Sequence, residues 1–192
     1  MNDKYEFTGE TKNCLGHTLH RIRALRDIGY DVVAGEDVVA GDLGGWLECE
    51  DNLSPIGNAW VYDNASVYNN ALVSDNARIY DNARIYDNSQ IYDNAEIVHN
   101  AAIFGKARLY GEARVCGKAR VYGDAQIYGK ALVYDNARIY DNAQICDSAW
   151  IYGAAKVCGE ARIYDDAEIF DNAWIFGKAI ICGGSLICSN MG

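Results

Sequence analysis

The chain has 192 residues, of which 50% are hydrophobic, and a formal net charge of −10. This length and composition indicate one elongated domain with a substantial core, and no apolar run approaches the roughly 20 residues that a membrane-spanning helix needs. The acidity disfavours broad binding of duplex nucleic acid, because such binding depends on cations that neutralise phosphates.

Residues 1–56 follow no regular repeat, and we expect them to form a small N-terminal β cap. Segments 32–37 and 38–43 look like two degenerate hexads that are out of phase with the repeat after Gly57. We therefore expect a loop over 46–56, which holds the only proline, to reset the register. Short strands before these hexads would cover the first coil, whose open edge would otherwise invite pairing with other chains. A distinct partner-binding module is the second interpretation of this segment.

From Gly57 to Cys188 a six-residue unit repeats 22 times without an insertion, and we assign 57–192 to this repeat region. With Gly57 as position one, position three is Ala in 20 hexads and Ser in two, and position five is Ile or Val in 21 and Leu in one. Alternate residues of a strand share a face, so positions three and five are predicted to point inward and positions four and six outward. Position one is Gly, Asp or Asn everywhere except His99, and these residue types tolerate a positive φ, which predicts a corner.

Each hexad is too short to reverse the chain, so it predicts one side of a coil rather than a hairpin. Three hexads make one coil, and successive coils can pair in parallel along their whole length. The 22 hexads then predict about seven coils. The predicted fold is all-β: a triangular parallel β-helix solenoid with a small N-terminal β cap. Eight consecutive asparagines at position two, from Asn58 to Asn100, predict side-chain ladders at the corners.

The repeat unit Ile-Tyr-Asp-Asn-Ala-Arg, as at 79–84, resembles the hexapeptide-repeat signature of left-handed parallel β-helix proteins. Segments 5–7, 19–25, 40–48 and 52–54 are similar to a group of bacterial and prophage proteins that are labelled as hexapeptide transferases. This resemblance covers essentially the whole chain. It implies a left-handed coil and a phage or prophage type of protein, and it says little about function.

Hexapeptide β-helices are best known as acyltransferases, and the resemblance implies for that class a histidine base between the subunits of a trimer. The candidates here are His99, which breaks the corner rule, and His17 and His20 in the cap. Histidine also tolerates a positive φ, and the hexads contain no excursion that could enclose an acceptor pocket. The residues therefore favour a non-catalytic protein, with His99 as a weak catalytic candidate. We expect no cofactor, and no metal site because the chain lacks a Cys-x-x-Cys motif.

Aromatic residues dominate position six, with Tyr in 12 hexads and Phe in three. Sorting the hexads by coil brings aromatic and cationic residues together on one side of the solenoid. Six of them are our candidates for binding a ligand or partner: Arg84, Tyr86, Arg120, Tyr122, Arg138 and Tyr140. Interleaved cations and rings can bind nucleotides, single-stranded nucleic acid or an acidic protein surface. Alternatively, these side chains only cover the sheet with their apolar bodies.

Four large apolar residues occupy outward positions on the last coils: Trp174, Phe176, Ile180 and Leu186. A clustered apolar patch is typical of an association surface, so we expect a homo-oligomer that forms through the C-terminal end. The alternative is that these residues pack on one another around the final coil.

Seven cysteines raise the question of the compartment. Five lie at position six, and no two of these are three hexads apart, so no disulfide is expected between neighbouring coils. Single thiols and a charged N-terminus without signal-peptide features favour a cytoplasmic protein. The best interpretation is a non-catalytic binding protein of phage or prophage type, whose partner is a small ligand or a host protein such as a defence component that it inhibits or sequesters. A trimeric hexapeptide acyltransferase and a carbohydrate-binding solenoid are the alternatives.

Overall fold

The computed structural model describes residues 2–31 and 36–188, and these ranges contain no helix that is long and apolar enough to cross a membrane. The N-terminal elements are β1 (Tyr5–Cys14), β2 (His17–Ala24), β3 (Tyr30–Asp31), β4 (Glu36–Asp37), β5 (Leu43–Leu47) and a 3₁₀ helix (Glu50–Asn52). The remaining strands are β6 (Trp60–Val61), β7 (Ser66–Val67), β8 (Leu72–Val73), β9 (Arg78–Ile79), β10 (Arg84–Ile85), β11 (Gln90–Ile91), β12 (Glu96–Ile97), β13 (Ala102–Ile103), β14 (Arg108–Leu109), β15 (Arg114–Val115), β16 (Arg120–Val121), β17 (Gln126–Ile127), β18 (Leu132–Val133), β19 (Arg138–Ile139), β20 (Gln144–Ile145), β21 (Trp150–Ile151), β22 (Lys156–Val157), β23 (Arg162–Ile163), β24 (Glu168–Ile169), β25 (Trp174–Ile175), β26 (Ile180–Ile181) and β27 (Leu186–Ile187).

The strands after the cap form three parallel sheets that share one continuous coil. Each strand pairs with the strand three places later, as Ile85 of β10 pairs with Ile103 of β13. The first sheet has ten strands in the order β1-β2-β5-β7-β10-β13-β16-β19-β22-β25, the second has seven, and the third has eight. The predicted parallel β-solenoid is therefore confirmed, with about eight turns rather than seven.

The core consists of the two inward positions of every hexad. The alanines at position three and the aliphatic residues at position five belong to one continuous buried cluster, in which Ala83 and Ile85 have no exposed surface. Ser89 replaces an alanine and donates its hydroxyl hydrogen to the carbonyl oxygen of Tyr86 at 2.8 Å, which satisfies the buried polar group. The inward positions predicted from the alternation are thus confirmed.

The position-one residues form the corners, as predicted from their composition. Those of the solenoid that are not glycine have φ between +50° and +63°. Aspartate corners also bond to the next coil, as the Asp87 carboxylate accepts the backbone N–H of Gly105 at 3.1 Å. Side-chain ladders form at position two as well, with Asn70 donating to Asn88 and Asn76 donating to Asn94, both at 3.2 Å.

The N-terminal hairpin continues the ten-stranded sheet. Strands β1 and β2 are antiparallel, β2 pairs antiparallel with β5, and β5 pairs in parallel with β7 through Leu47 and Val67. Two side chains, from the first residue of β1 and the residue before it, reach over the first coil. The Tyr5 hydroxyl lies 3.0 Å from the carbonyl oxygen of Glu50, and the Lys4 ammonium donates to the carbonyl oxygen of Ser54 at 2.9 Å.

The change of register occurs later than the sequence indicated. Trp46 and Leu47 lie in β5 and not in a loop. Leu53 forms a β-bridge with Val73. The sequence separation of these two residues is larger than the three hexads of a regular turn. From Trp60, which pairs with Arg78, every turn is three hexads long. The additional chain is therefore taken up between Leu53 and Trp60, so the loop expected over 46–56 was wrong at its start.

The predicted degenerate hexad at 38–43 is not a side of the solenoid. Its backbone pairs within the cap, because Val38 accepts the N–H of Ile28 at 2.8 Å and Asp42 accepts the N–H of Ala24 at 2.9 Å. Strand β5 forms the first side instead, and its Gly45 approaches the next turn so closely that an added Cβ would lie 2.6 Å from Val61. The other expected hexad, at 32–37, lies partly outside the described residues.

Candidate binding face and hairpin groove

The outward positions of the ten-stranded sheet place four cations in one line. We define the cationic row as Arg84, Arg120, Arg138 and Lys156, all exposed at position four. Arg120 pairs directly with Arg138 and Arg138 with Lys156, while Ala102 separates Arg84 from Arg120. No ion pair to a carboxylate involves the row in the part of the chain that the structure describes. Like charges directly opposite each other destabilise a sheet, so this arrangement costs free energy.

The other two sheets avoid such stacking of cations. In the eight-stranded sheet Arg114 lies over Glu96, with Nε 2.7 Å from the carboxylate oxygen. In the seven-stranded sheet glutamines separate the arginines, since Arg108 pairs with Gln126 and Arg162 with Gln144. The ten-stranded sheet therefore differs from its neighbours in keeping its positive charges adjacent and unneutralised.

An aromatic column lies beside the cationic row. It consists of five position-six residues, namely Tyr68, Tyr86, Phe104, Tyr122 and Tyr140. Neighbouring rings are parallel within 2–6°, with centroids 4.8–5.1 Å apart. Each ring face inside the column is covered by the next ring, so a nucleobase or sugar has no free ring face there on which to stack. The column presents ring edges and phenol groups instead.

These phenols are neutral hydrogen-bonding groups near neutral pH. Burial raises the pKa of Tyr86 and Tyr122 above the ordinary value for tyrosine. A hydrogen bond with the Cys158 thiol, together with burial, raises the pKa of Tyr140 to about 12. The six predicted binding residues thus lie together on one face, with guanidinium groups beside tyrosine hydroxyls.

The cap extends this face beyond the solenoid. Arg21 pairs with Trp46, which in turn pairs with Ser66 at the start of the row. The Trp46 ring lies near two cations, with the Lys12 ammonium 4.5 Å and the Arg21 guanidinium 5.3 Å from its centroid, a cation–π arrangement. The His17 ring packs on Tyr68 with centroids 5.1 Å apart and so continues the aromatic column into the hairpin.

His17 also forms the one histidine–carboxylate contact in the described ranges. Its Nδ1 lies 2.9 Å from Glu48, whose second oxygen accepts the backbone N–H of Asn69 at 2.6 Å. The hydrogen bond from His17 is the main reason why the pKa of Glu48 is lowered. This pair ties the hairpin to the first two turns.

An open groove separates the hairpin from the solenoid, with a volume of about 560 Å³. We call it the hairpin groove, and its lining residues are Lys12, Cys14, Asn64, Ser66, Asn82, Arg84 and Asn100. The lining contains two cations and several amides, and no carboxylate among the described side chains. Sequence reasoning missed this groove, because it forms only where the hairpin packs beside the corner asparagines. The only available signal was Lys12, which stands far from the repeat.

His99, the one corner residue that is not Gly, Asp or Asn, takes the place of an aspartate. The Nδ1 of His99 accepts the backbone N–H of Gly117 at 3.3 Å, and the backbone N–H of His99 donates to Asp81 at 2.9 Å. Both contacts repeat the pattern of the aspartate corners. A positive φ and an accepting side-chain atom account for His99, which lies exposed at a corner. His20 lies in the cap against Phe7, with ring centroids 5.2 Å apart.

The four apolar residues near the end of the repeat are strongly exposed. Trp174 is 60%, Phe176 63%, Ile180 64% and Leu186 68% exposed. Trp174 and Phe176 touch, with centroids 5.4 Å apart, but this contact leaves most of both rings uncovered. Packing on one another therefore does not remove these side chains from solvent.

Comparison with known proteins supports the repeat architecture. A family model described as the YdcK beta solenoid repeat matches residues 77–90, 113–129 and 125–141. These segments lie within the stacked turns, and the match supports a β-solenoid repeat protein. No curated protein matches the sequence.

Proposed function

We propose that this β-solenoid repeat protein is a non-catalytic binding protein whose ten-stranded sheet engages an acidic surface of a partner protein. The observation that carries the proposal is the direct stacking of Arg120, Arg138 and Lys156 without a carboxylate partner in the described residues. An acidic partner would relieve the repulsion within the row. Arginine can also hold a carboxylate through two parallel hydrogen bonds, and the neighbouring Tyr122 and Tyr140 hydroxyls can donate to the same partner.

The aromatic column supports a protein partner over the other candidates. Binding of single strands uses bases that stack on aromatic faces, and carbohydrate recognition also needs an open ring face. In the column each ring covers its neighbour, as Phe104 and Tyr122 do at 4.8 Å.

The resemblance to prophage proteins supports a host protein as the partner, such as a defence component that this protein inhibits or sequesters. All seven cysteines are free thiols, which supports a reducing compartment, the cytoplasm, as the place of the interaction. We further propose that a second copy of the chain covers the apolar surface at the C-terminal end, where Trp174, Ile180 and Leu186 are exposed on the last strand of each of the three sheets and Phe176 contacts Trp174. Exposed apolar residues concentrated in this way mark association surfaces.

The binding proposal is tested by reversing charge in the row. Fluorescence anisotropy would measure binding of a short labelled peptide of alternating glutamate and serine to the wild type and to the double variant Arg120→Glu/Arg138→Glu. We expect the double variant to lose affinity by at least about tenfold, since each lost ion pair contributes on the order of 1 kcal/mol. The matched control is Arg108→Glu/Arg162→Glu, which reverses two exposed arginines at the same hexad position in the seven-stranded sheet.

An equal loss of affinity in the two double variants would show that only the net charge matters. It would contradict binding at the ten-stranded sheet in particular. A single-stranded thymidine oligonucleotide serves as the competitor in the same assay. Stronger binding of the oligonucleotide than of the acidic peptide would overturn the choice of a protein partner.

A further inference from the structure

We infer that the hairpin groove is a separate binding site for a phosphate monoester. It lies at the cap end of the cationic row and shares only Arg84 with it. The proposal rests on the two cations and the three asparagine amides that line the groove, and it does not depend on the partner protein of the row.

Two cations at the groove have hydrogen-bond donors to spare. The Lys12 ammonium donates to the carbonyl oxygen of Asn64 at 3.2 Å and packs on Trp46, which leaves two of its three N–H groups open. Burial and the nearby Arg21 lower the pKa of Lys12, so its charge is disfavoured as long as it lacks an anion. Arg84 has no hydrogen-bond acceptor within the described ranges.

The asparagines of the groove differ from the two asparagine pairs that form ladders at the other corners. At the two other corners Asn70 bonds to Asn88 and Asn76 to Asn94. The three asparagines that line the groove make no such side-chain bonds to one another or to any other described residue: Asn64, Asn82 and Asn100. Their amide N–H groups are therefore free to donate to a ligand.

Two buried donors behind the groove also lack partners. The Trp46 indole N–H and the Tyr68 hydroxyl have no hydrogen-bond partner among the described residues, although Trp46 is 8% and Tyr68 2% exposed. Both belong to a small cluster against which Cys14 packs, and Cys14 lines the groove. Neither atom lines the groove, so the donors available to a ligand there are those of Lys12, Arg84 and the asparagines.

The number and charge of these donors fit a phosphate monoester better than a carboxylate. Near neutral pH a phosphate monoester carries a charge of about −1.5 to −2 and three strong acceptor oxygens. The groove offers two cations and three free amides, so a carboxylate would leave donors unused. Its volume of about 560 Å³ lies within the roughly 300–1,000 Å³ of small-molecule sites, which leaves room for the organic part of the ligand.

The test is a titration followed by nuclear magnetic resonance of the side-chain amides in the full chain. Inorganic phosphate, added at constant ionic strength, should shift the signals of Asn64, Asn82 and Asn100 in a saturable manner, and acetate should not. The variant Arg84→Gln should weaken phosphate binding by about tenfold, since it removes one charged hydrogen-bond donor. Arg138→Gln, at the same hexad position further along the row, is its control.

A second pair of variants avoids the contacts that anchor the hairpin. Asn82→Asp/Asn100→Asp adds two carboxylates to the groove and should abolish the phosphate shifts. Asn136→Asp/Asn172→Asp makes the same change at exposed residues of the same corner and should preserve them. Absence of saturable shifts, or equal effects of the two pairs, would overturn the phosphate site.

Two ligands distinguish the sources of the phosphate. Ribose 5-phosphate represents a free small molecule, and a phosphoserine peptide represents a phosphorylated protein side chain. Either one binding more tightly than inorganic phosphate, with loss in Asn82→Asp/Asn100→Asp, supports the site and assigns the source. Arg120→Glu/Arg138→Glu should lose the acidic peptide and retain phosphate. Loss of phosphate in that variant, with none in Arg84→Gln, would place the anion on the row and overturn the groove.

Discussion

Individual corner residues of the solenoid perform two tasks at once. Each adopts a positive φ, and most corner aspartates also accept the backbone N–H of the corner one coil later, as Asp141 does for Gly159 at 3.1 Å. His99 continues this pattern with Nδ1. Residue identity at the corner is therefore limited by backbone conformation and by hydrogen bonding, and His99 needs no catalytic explanation.

The role of His99 predicts an asymmetry between two substitutions. His99→Asp should keep the free energy of unfolding close to that of the wild type, because aspartate supplies the same acceptor at the neighbouring corners. His99→Ala should lower it by about 1–2 kcal/mol, since alanine leaves the Gly117 N–H without its acceptor and disfavours the positive φ. Urea denaturation followed by circular dichroism measures both. Equal stability of the two variants would contradict the corner role.

Among the secondary-structure elements, the N-terminal hairpin covers the first turn with buried polar side chains. Lys4 has no exposed surface, and its ammonium donates to the carbonyl oxygen of Ser54. Burial, with a smaller contribution from Arg26, lowers the pKa of Lys4 from 10.5 to about 8. The folded protein therefore binds the proton of the Lys4 ammonium more weakly than the unfolded chain does.

This shift predicts that stability rises in mild alkali. Between pH 8 and 10.5 the folded protein binds fewer protons at Lys4 than the unfolded chain, so the free energy of unfolding increases with pH. The gain is a few kcal/mol at most, because one pH unit of pKa change corresponds to about 1.4 kcal/mol. Tyr68 changes the stability in the opposite direction, because burial raises its pKa to about 12. Its contribution to the free energy of unfolding is therefore lost as the pH rises above about 10.

Comparison with Lys4→Met isolates this contribution, because the other titrating groups are common to both proteins. Urea denaturation at pH 7.5 and pH 9.5 measures the free energy of unfolding of both proteins. The value for the wild type minus the value for the variant should be larger at pH 9.5 than at pH 7.5. A constant difference between the two proteins across this range would show that Lys4 is not the responsible group.

The cationic row meets the apolar surface at one end of the molecule, where Lys156 pairs with Trp174 and its ammonium lies 5.8 Å from the ring centroid. The cationic row lies on one sheet of a chain with a formal net charge of −10, and the apolar surface lies on the last described turns. Self-association through the apolar surface would leave the hairpin groove and the start of the row free, because these lie several turns away. Phosphate binding in the groove and self-association can then be altered independently.

Self-association is tested by Trp174→Ser/Leu186→Ser and measured by sedimentation velocity. We expect the wild type to dimerise with increasing concentration and the double variant to stay monomeric, because it loses two large apolar side chains. Trp150→Ser is the control, since Trp150 is 45% exposed on the third strand of the eight-stranded sheet counted from its C-terminal edge. A monomeric wild type, or equal dissociation in the control, would refute association through this surface.

The order of the amino acids was sufficient to predict the solenoid, its buried positions, its corners and the side on which Arg84, Arg120 and Arg138 meet. A six-residue period places every residue relative to its neighbours one coil away, so local pattern and tertiary contact coincide in this part of the chain. The same regularity predicted asparagine ladders from Asn58 to Asn100, and these are confirmed only at Asn70–Asn88 and Asn76–Asn94.

Features that depend on segments outside the period emerged only from the folded chain. Strand β5 can form the first side because Gly44 and Gly45 let its backbone lie close to Ile22 and Val61. The sequence of β5 does not follow the hexad pattern, so the repeat does not predict this strand. The hairpin groove exists because Lys12 packs beside Asn64, which lies 52 residues away in the chain. Whether stacked rings expose their faces or cover one another depends on side-chain orientation, which a one-dimensional pattern does not contain.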